Sequence, residues 1–276
     1  MTVAARVPGS SASREPDVLR RIVDDIAILT LNRPQTRNAL TADMLAALQE
    51  HLAEFRGHKQ IRAVIIAAEG QVFSAGHDLK ELTAHRADAD GGVAFTRRLM
   101  GSCSAAMLAL AQLPQPVVAA VEGTATAAGC QLVASCDLAV ASTTAEFCTP
   151  GVHIGLFCST PMVAISRNVG RKHAMEMLLT GDTITAQEAL QMGLINQVVD
   201  SGGALEAAMA MARKVAAKSA AVIKLGKEAY YRQAEMNLAD AYDYAGEIMV
   251  RNMLARDAVE GISAFLEKRP PAWHDR

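Results

Sequence analysis

The stretch that decides the fold is "GTATAAGCQLVASCDLAV", residues 123–140. A turn of small residues feeds a short apolar helix, and "DLAV" then opens a strand. Directly upstream, "VVAAVEG" (117–123) is a continuous apolar run of the kind a strand buried on both faces shows. Strand, small-residue turn, helix and strand form the grammar of a mostly parallel sheet. One residue is out of keeping: Gln131 is polar, just inside a helix that is otherwise small and apolar.

Working outward, the same arrangement occurs once before. "IRAVIIAA" (61–68) reads as a buried strand, followed by the loop "EGQVFSAGHD" (69–78). Earlier still, "VDDIAILTLNRP" reads as a strand ending at Pro34. "TADMLAALQEHLAEF" follows with Met44, Leu45, Leu48, Leu52 and Phe55 at helical spacing, Thr41 able to cap and Gly57 able to terminate. Asp88, Asp90, Gly91 and Gly92 interrupt the pattern and predict a mobile segment. A longer helix then runs to about Leu113, where "PQP" stops it. From about Met162 the pattern is mainly helical, with "LINQVV" as a strand-like exception. The expected organisation is a disordered tail over 1–18, a β-rich core over 19–200 and a helical C-terminal region over 201–276.

The chain has 276 residues, 51% of them hydrophobic, enough for one substantial core. Its formal net charge of −2 offers no basic stripe for nucleic acid. The apolar runs are too short or too interrupted to span a membrane. The five cysteines form no CxxC pair, so they read as small buried residues in a reducing compartment, with no metal site. The N-terminal residues lack the apolar core of a secretory signal. The expectation is a cytoplasmic protein, or a mitochondrial-matrix one in a eukaryote.

"FSAGHDLKEL" and "GTATAAGCQL" are chemically alike. Each follows a strand, passes through small residues and opens a helix. Small side chains let a ligand approach the backbone, and helix N-termini carry unpaired N–H groups. Two such ends, if they converge, could hold one developing oxyanion. With "LNRPQTRNAL", "LLTGDTITAQEALQMGL", "GLINQVV" and the terminal "EGISAFLEKRPP", in this order from about Ile26 to Pro271, these segments resemble the crotonase superfamily, the enoyl-CoA hydratase/isomerase family.

The resemblance implies an α/β fold: a spiral of ββα turns with a helical C-terminal region that builds trimers or dimers of trimers. It implies an acyl-CoA thioester as substrate, with coenzyme A entering as part of it and no prosthetic group. It implies that the backbone N–H groups of His77 and Ala128 hold the thioester oxygen. Asp78, Leu79 and Lys80 fall in the segment that meets CoA, Lys80 where a phosphate contact is common, and Lys268 is a further CoA candidate. Ala128 departs from the family's usual Gly.

Two positions break the pattern. Hydratases of the family carry Glu where this chain has Gln131, and a second Glu where "FCTPGVHIGLF" has Gly151. Adding water to a conjugated double bond needs one group to deprotonate or orient the water and another to deliver a proton. A carboxamide can orient water but cannot take and return a proton at neutral pH. Efficient two-Glu hydration is therefore not expected. On these grounds the double change Gln131→Glu with Gly151→Glu should recover more activity than the two singles combined.

Three side chains remain as replacements. His77 could act as a proton donor or a partner for a substrate carboxylate, or contribute only its N–H. His153 reads as a surface residue facing outward, but could replace the lost acid if it faces inward, and Cys158 is the third, or buried filler. "SAGHD" also resembles the methylmalonyl-CoA decarboxylase branch, whose chemistry needs enolate stabilisation more than a base. That branch's later Tyr is missing here, with Cys158 near its place. A protein that binds acyl-CoA without turning it over is the third reading.

Overall fold

The computed structural model describes residues 15–275. The elements are β1 (Val18–Val23), β2 (Ile26–Leu31), α1 (Ala42–Arg56), β3 (Ala63–Ala68), β4 (Val72–Ser74), α2 (Leu79–Ala84), α3 (Val93–Gln112), β5 (Val117–Val121), β6 (Thr124–Thr126), α4 (Ala128–Ser135), β7 (Leu138–Ser142) and β8 (Glu146–Cys148). They continue with α5 (Ser159–Ile165), α6 (Arg171–Thr180), β9 (Ile184–Thr185), α7 (Ala186–Met192), β10 (Gln197–Val199), α8 (Ala204–Ala216), α9 (Ala220–Gln233), α10 (Leu238–Met253) and α11 (Arg256–Leu266).

Two sheets result. The larger runs β1-β2-β3-β5-β7-β10, parallel apart from the β1–β2 hairpin, and the smaller runs β4-β6-β8-β9. Each of the pairs β3–β4, β5–β6 and β7–β8 sends its first strand to the large sheet and its second to the small one, then enters a helix. This is a ββα spiral. The apolar runs read as strands are fully buried: β5 has no exposed position, and β3 only a half-buried last residue. Such strands need cover on both faces. One face of the large sheet meets the core built with α1, α3 and α4, and the other meets α8 through Ile28, Ile65, Val118 and Met209.

Several expectations change in detail. The strand read in "VDDIAILTLNRP" is the second arm of a hairpin whose two-residue turn holds Asp24 at φ 57°. Since β1 begins at Val18, the tail expected over 1–18 ends before that residue, and its residues 1–14 lie outside the described ones. The segment expected to be mobile at 88–92 holds local structure, since the Asp90 carboxylate accepts the N–H groups of Gly92 and Ala94 at the start of α3. The helix α8, placed by the sequence in the C-terminal region, packs on the sheet as part of the core.

The last three helices form an arm with little apolar burial of its own: α9 and α10 bury no residue, and α11 only Asp257 and Ala264. Polar contacts dock it. Lys227 Nζ lies 2.6 Å from Asp137 Oδ2 and donates to the carbonyls of Leu110 and Gln115, both at 3.0 Å, while Tyr231 donates to Asp137 Oδ1. Burial pulls the Lys227 pKa down and the Asp137 carboxylate opposes this. Asp137, read from the sequence as a structural residue opening a strand, also accepts the N–H of Val117.

Candidate active site at two strand-to-helix turns

Strands β4 and β6 are parallel neighbours, so the turns at their C-terminal ends lie side by side. The first turn is Ala75-Gly76-His77-Asp78 and the second is Ala127-Ala128-Gly129. Gly76 has φ +81°, and a Cβ there would lie 3.1 Å from Ala128 N and 3.0 Å from Ala127 Cβ. Gly129 is equally constrained: a Cβ would come within 2.3 Å of Ser74 O, so only glycine lets the first turn of α4 sit on β4. Thr126 Oγ1 ties the two turns by donating to Ala75 O at 3.1 Å.

The orientation of two peptide groups follows from their carbonyls. Across a planar trans peptide, C=O and N–H point in opposite directions. Gly76 O accepts the N–H of Leu40 at 2.7 Å, so the His77 N–H points away from Leu40. Ala127 O accepts the N–H of Gln131 at 3.0 Å, inside α4, so the Ala128 N–H points out of the helix N-terminus. Among the described residues neither N–H meets an acceptor. Ala128 is 1% exposed, so its N–H is in a site that largely excludes water. Two unpaired donors on neighbouring turns, one at the positive end of a helix, are the equipment for holding a partly negative oxygen.

Ala127 itself sits at φ 49°, ψ −117°, a backbone conformation that L residues rarely adopt. Its N–H donates to Cys148 O at 2.9 Å and its carbonyl is held by Gln131, so the surroundings impose the conformation. Such strain costs about 1–3 kcal/mol. Ala127→Gly should therefore raise stability by about 1 kcal/mol after glycine's own entropic cost. The urea midpoint should rise with an unchanged slope, and a lower midpoint would contradict the strain.

The side chains singled out from the sequence differ in their settings. The ring of His77 is largely buried, and its Nδ1 lies 3.2 Å from Leu40 O. A carbonyl only accepts, so Nδ1 carries the proton and Nε2 is left with a buried lone pair that has no partner. Burial holds the imidazole pKa below its usual value, opposed by the Leu40 bond, so the ring is neutral at pH 7. Asp78 caps α2 by accepting the N–H groups of Lys80 and Glu81 at 2.8 and 3.2 Å. Leu79 and Lys80 are exposed on the first turn of α2. Lys268 is exposed on the C-terminal arm just past α11, at φ 55°.

Gln131 is 4% exposed, and its Oε1 meets only the Cys103 thiol, at 3.9 Å. Gly151 is buried in a short 3-10 turn, and the space beside it is taken: a Cβ there would lie 2.9 Å from Leu156 O and 3.0 Å from Cys158 Sγ. The sulfur thus fills the room in which a second carboxylate would start. Burial pushes the Cys158 thiol pKa up, with a partly opposing bond from the Gly151 backbone, so the thiol is protonated and a poor base. His153 takes the outward of its two possible orientations: the residue is exposed, its Nε2 2.8 Å from Thr180 O across from α6. Within one chain it does not replace the missing acid. All five cysteines are free and buried. Among the described residues no group of His, Cys, Asp or Glu is arranged to hold a metal ion.

Sequence reading missed the segment that braces the first turn. Asn38 and Ser74 are both fully buried polar residues here, and the only sequence signal is the second of two Asn residues in "LNRPQTRNAL".

The comparisons with known proteins agree with this architecture. The family model described as "Enoyl-CoA hydratase/isomerase" matches residues 21–276. The chain is 46% identical over 272 residues to human "Enoyl-CoA hydratase domain-containing protein 3, mitochondrial", covering 98% of this chain and 88% of that protein. It is 33% identical over 252 residues to "Probable enoyl-CoA hydratase echA8" of Mycobacterium tuberculosis, covering 91% and 95%. A crystal structure of an enoyl-CoA hydratase from Mycobacterium smegmatis superposes with a TM-score of 0.89 at 49% identity, covering 94% of this chain and all of the other. With two sheets joined by ββα turns, a helical C-terminal region and a family match over most of its length, this chain belongs to the enoyl-CoA hydratase/isomerase family.

Proposed function

We propose that the protein binds an acyl-CoA thioester and holds its carbonyl oxygen between the N–H groups of His77 and Ala128, stabilising the enolate that forms there. The observation that carries this reading is the pair of unpaired, oppositely braced peptide groups on neighbouring turns. The donors are backbone, so their chemistry survives the loss of acid–base side chains. Exposed Lys80, beside the first turn, is a ligand for CoA phosphate, and Lys268 a second if the arm lies along the nucleotide. Coenzyme A is then part of the substrate, and no prosthetic group is required. Hydration by two carboxylates is weak, since Gln131 cannot shuttle a proton and Gly151 has no side chain. Retention of acyl-CoA by the native protein, followed by turnover assays on the thioesters found, tests the reading. A protein that binds coenzyme A and its thioesters equally, with no dependence on the carbonyl, would refute it.

One observation favours a second reading. The position of the second carboxylate is closed by Cys158, which suits a reaction that needs no base. In decarboxylation of a malonyl-type thioester, the bond to the carboxylate carbon breaks, CO₂ leaves, and the electron pair stays on the α-carbon as the enolate. Release of CO₂ from methylmalonyl-CoA distinguishes this from hydration of an enoyl-CoA.

The arm bears on assembly. Leu238, Tyr242, Leu254, Phe265 and Leu266 are 72–82% exposed, more large apolar side chains than a lone chain usually leaves in water. The protein should be a trimer or a dimer of trimers by light scattering at micromolar concentration, and a monomeric mass would contradict this. The relatives named mitochondrial are consistent with a matrix location in a eukaryote, and with the cytoplasm in a bacterium.

A further inference from the structure

We infer that Asn38 is a positioning residue that aims the His77 N–H, acting through the backbone of residues 37–40. The inference rests on the proposed role of that N–H. Asn38 is completely buried and lies at φ 50°, directly after Arg37 at φ 55°. Asn is one of the few residues that takes the left-handed region readily.

Its carboxamide is fully engaged. Oδ1 accepts the N–H of Arg33 at 2.8 Å, and Nδ2 donates to Glu69 O at 2.9 Å and Val72 O at 2.7 Å. The orientation is fixed by these partners, since the opposite flip would face donor to donor and oxygen to two oxygens. The side chain therefore pins residues 37–40 to the chain just before and inside β4.

The pinned segment in turn grips the first turn. Ala75 donates its N–H to Arg37 O at 2.9 Å, and the Ser74 hydroxyl donates to Asn38 O at 2.9 Å. Leu40 donates its N–H to Gly76 O at 2.7 Å and accepts from His77 Nδ1 at 3.2 Å. The His77 ring is thus part of the grip. This bracing matters because Gly76 imposes no preference of its own: glycine lets the adjoining peptide rotate, so its direction must come from outside. The Leu40 N–H supplies that direction, and Asn38 holds Leu40 in place.

The test is the infrared stretch of the thioester carbonyl, isotope-labelled, in crotonyl-CoA bound at saturation to the full chain. Hydrogen bonds to the oxygen lower the frequency, and saturation separates this from affinity. Wild type should show a downshift relative to free ligand. Asn38→Gly keeps the backbone conformation and removes the amide, and Asn38→Asp keeps the shape and removes both donors. Each should lose most of the downshift while remaining folded by circular dichroism. Ser74→Ala, which removes the hydroxyl that joins Asn38 O to the Gly76 N–H and spares the Asn38 amide, should lose part of it and tests the same linkage if neither Asn38 variant folds. A folded Asn38 variant with the wild-type downshift, or failing both an unchanged Ser74→Ala, overturns the role of Asn38 alone. A wild type without any downshift overturns the proposed oxygen site and this inference with it.

Discussion

Replacing Ala128 by proline is expected to lower turnover of an acyl-CoA thioester by about 10²–10³-fold, the usual cost of one oxyanion donor, in a protein that still folds. The Ala128 N–H has no acceptor among the described residues, so proline removes no protein hydrogen bond. Ala128 is also the first residue of α4, the helix position that tolerates proline best, but Ala127 at φ 49°, ψ −117° lies outside the region favoured before proline, so circular dichroism accompanies the assay. Ala128→Gly is the control, because it restores the family's usual residue and keeps the N–H. The pair separates the donor from the side chain. Equal loss in both variants would point to packing, and no loss in the proline variant would remove Ala128 from the site. The same comparison can be read through residual hydration of crotonyl-CoA or through CO₂ release from methylmalonyl-CoA.

The second large effect is expected of the wild-type chain itself. Crotonyl-CoA hydration should be at least about 10²-fold slower than in a two-Glu relative, since each missing acid–base role costs about 10²–10⁴-fold. Gln131→Glu alone should recover little, because no group replaces the carboxylate absent at Gly151. The structure revises what sequence logic suggests for the double change. With Leu156 O at 2.9 Å and Cys158 Sγ at 3.0 Å from a Cβ at position 151, Glu cannot enter without displacing backbone. The double variant should therefore lose stability and gain no synergy. A progress curve of the enoyl absorbance for wild type and both variants, beside a denaturant titration of each, reads both effects. A wild-type rate equal to that of a two-Glu enzyme would mean that another group carries the proton.

Which parts of this picture a sequence can reveal depends on length scale. The long signals were plain: "VVAAV", "AVIIAA" and the α1 stripe of Met44, Leu45, Leu48, Leu52 and Phe55 each bury their apolar residues as the patterns predict. The small sheet was not seen at all. Its strands β4, β6 and β8 are three residues each, too short to show alternation, and β6 is Thr-Ala-Thr. In the sequence β4 and β6 look like loop and turn, yet their pairing is what sets Gly76 against Ala128. The two turns themselves were visible through their small residues. The brace on the first turn was not, because it is backbone pairing between segments some forty residues apart, anchored by one Asn. The filling of the Gly151 site by Cys158 was equally hidden, since a missing carboxylate leaves no trace of whether its space stays open.

Polarisation of a thioester carbonyl by the N–H groups of His77 and Ala128 leaves a direct signature in the bond. It is tested most directly by the carbonyl stretch of isotope-labelled crotonyl-CoA bound to unmodified protein. The expected frequency lies below that of the ligand in water, moved back toward it by Ala128→Pro and left in place by Ala128→Gly. A bound carbonyl that absorbs where it does in water, or that is indifferent to the proline, would contradict it.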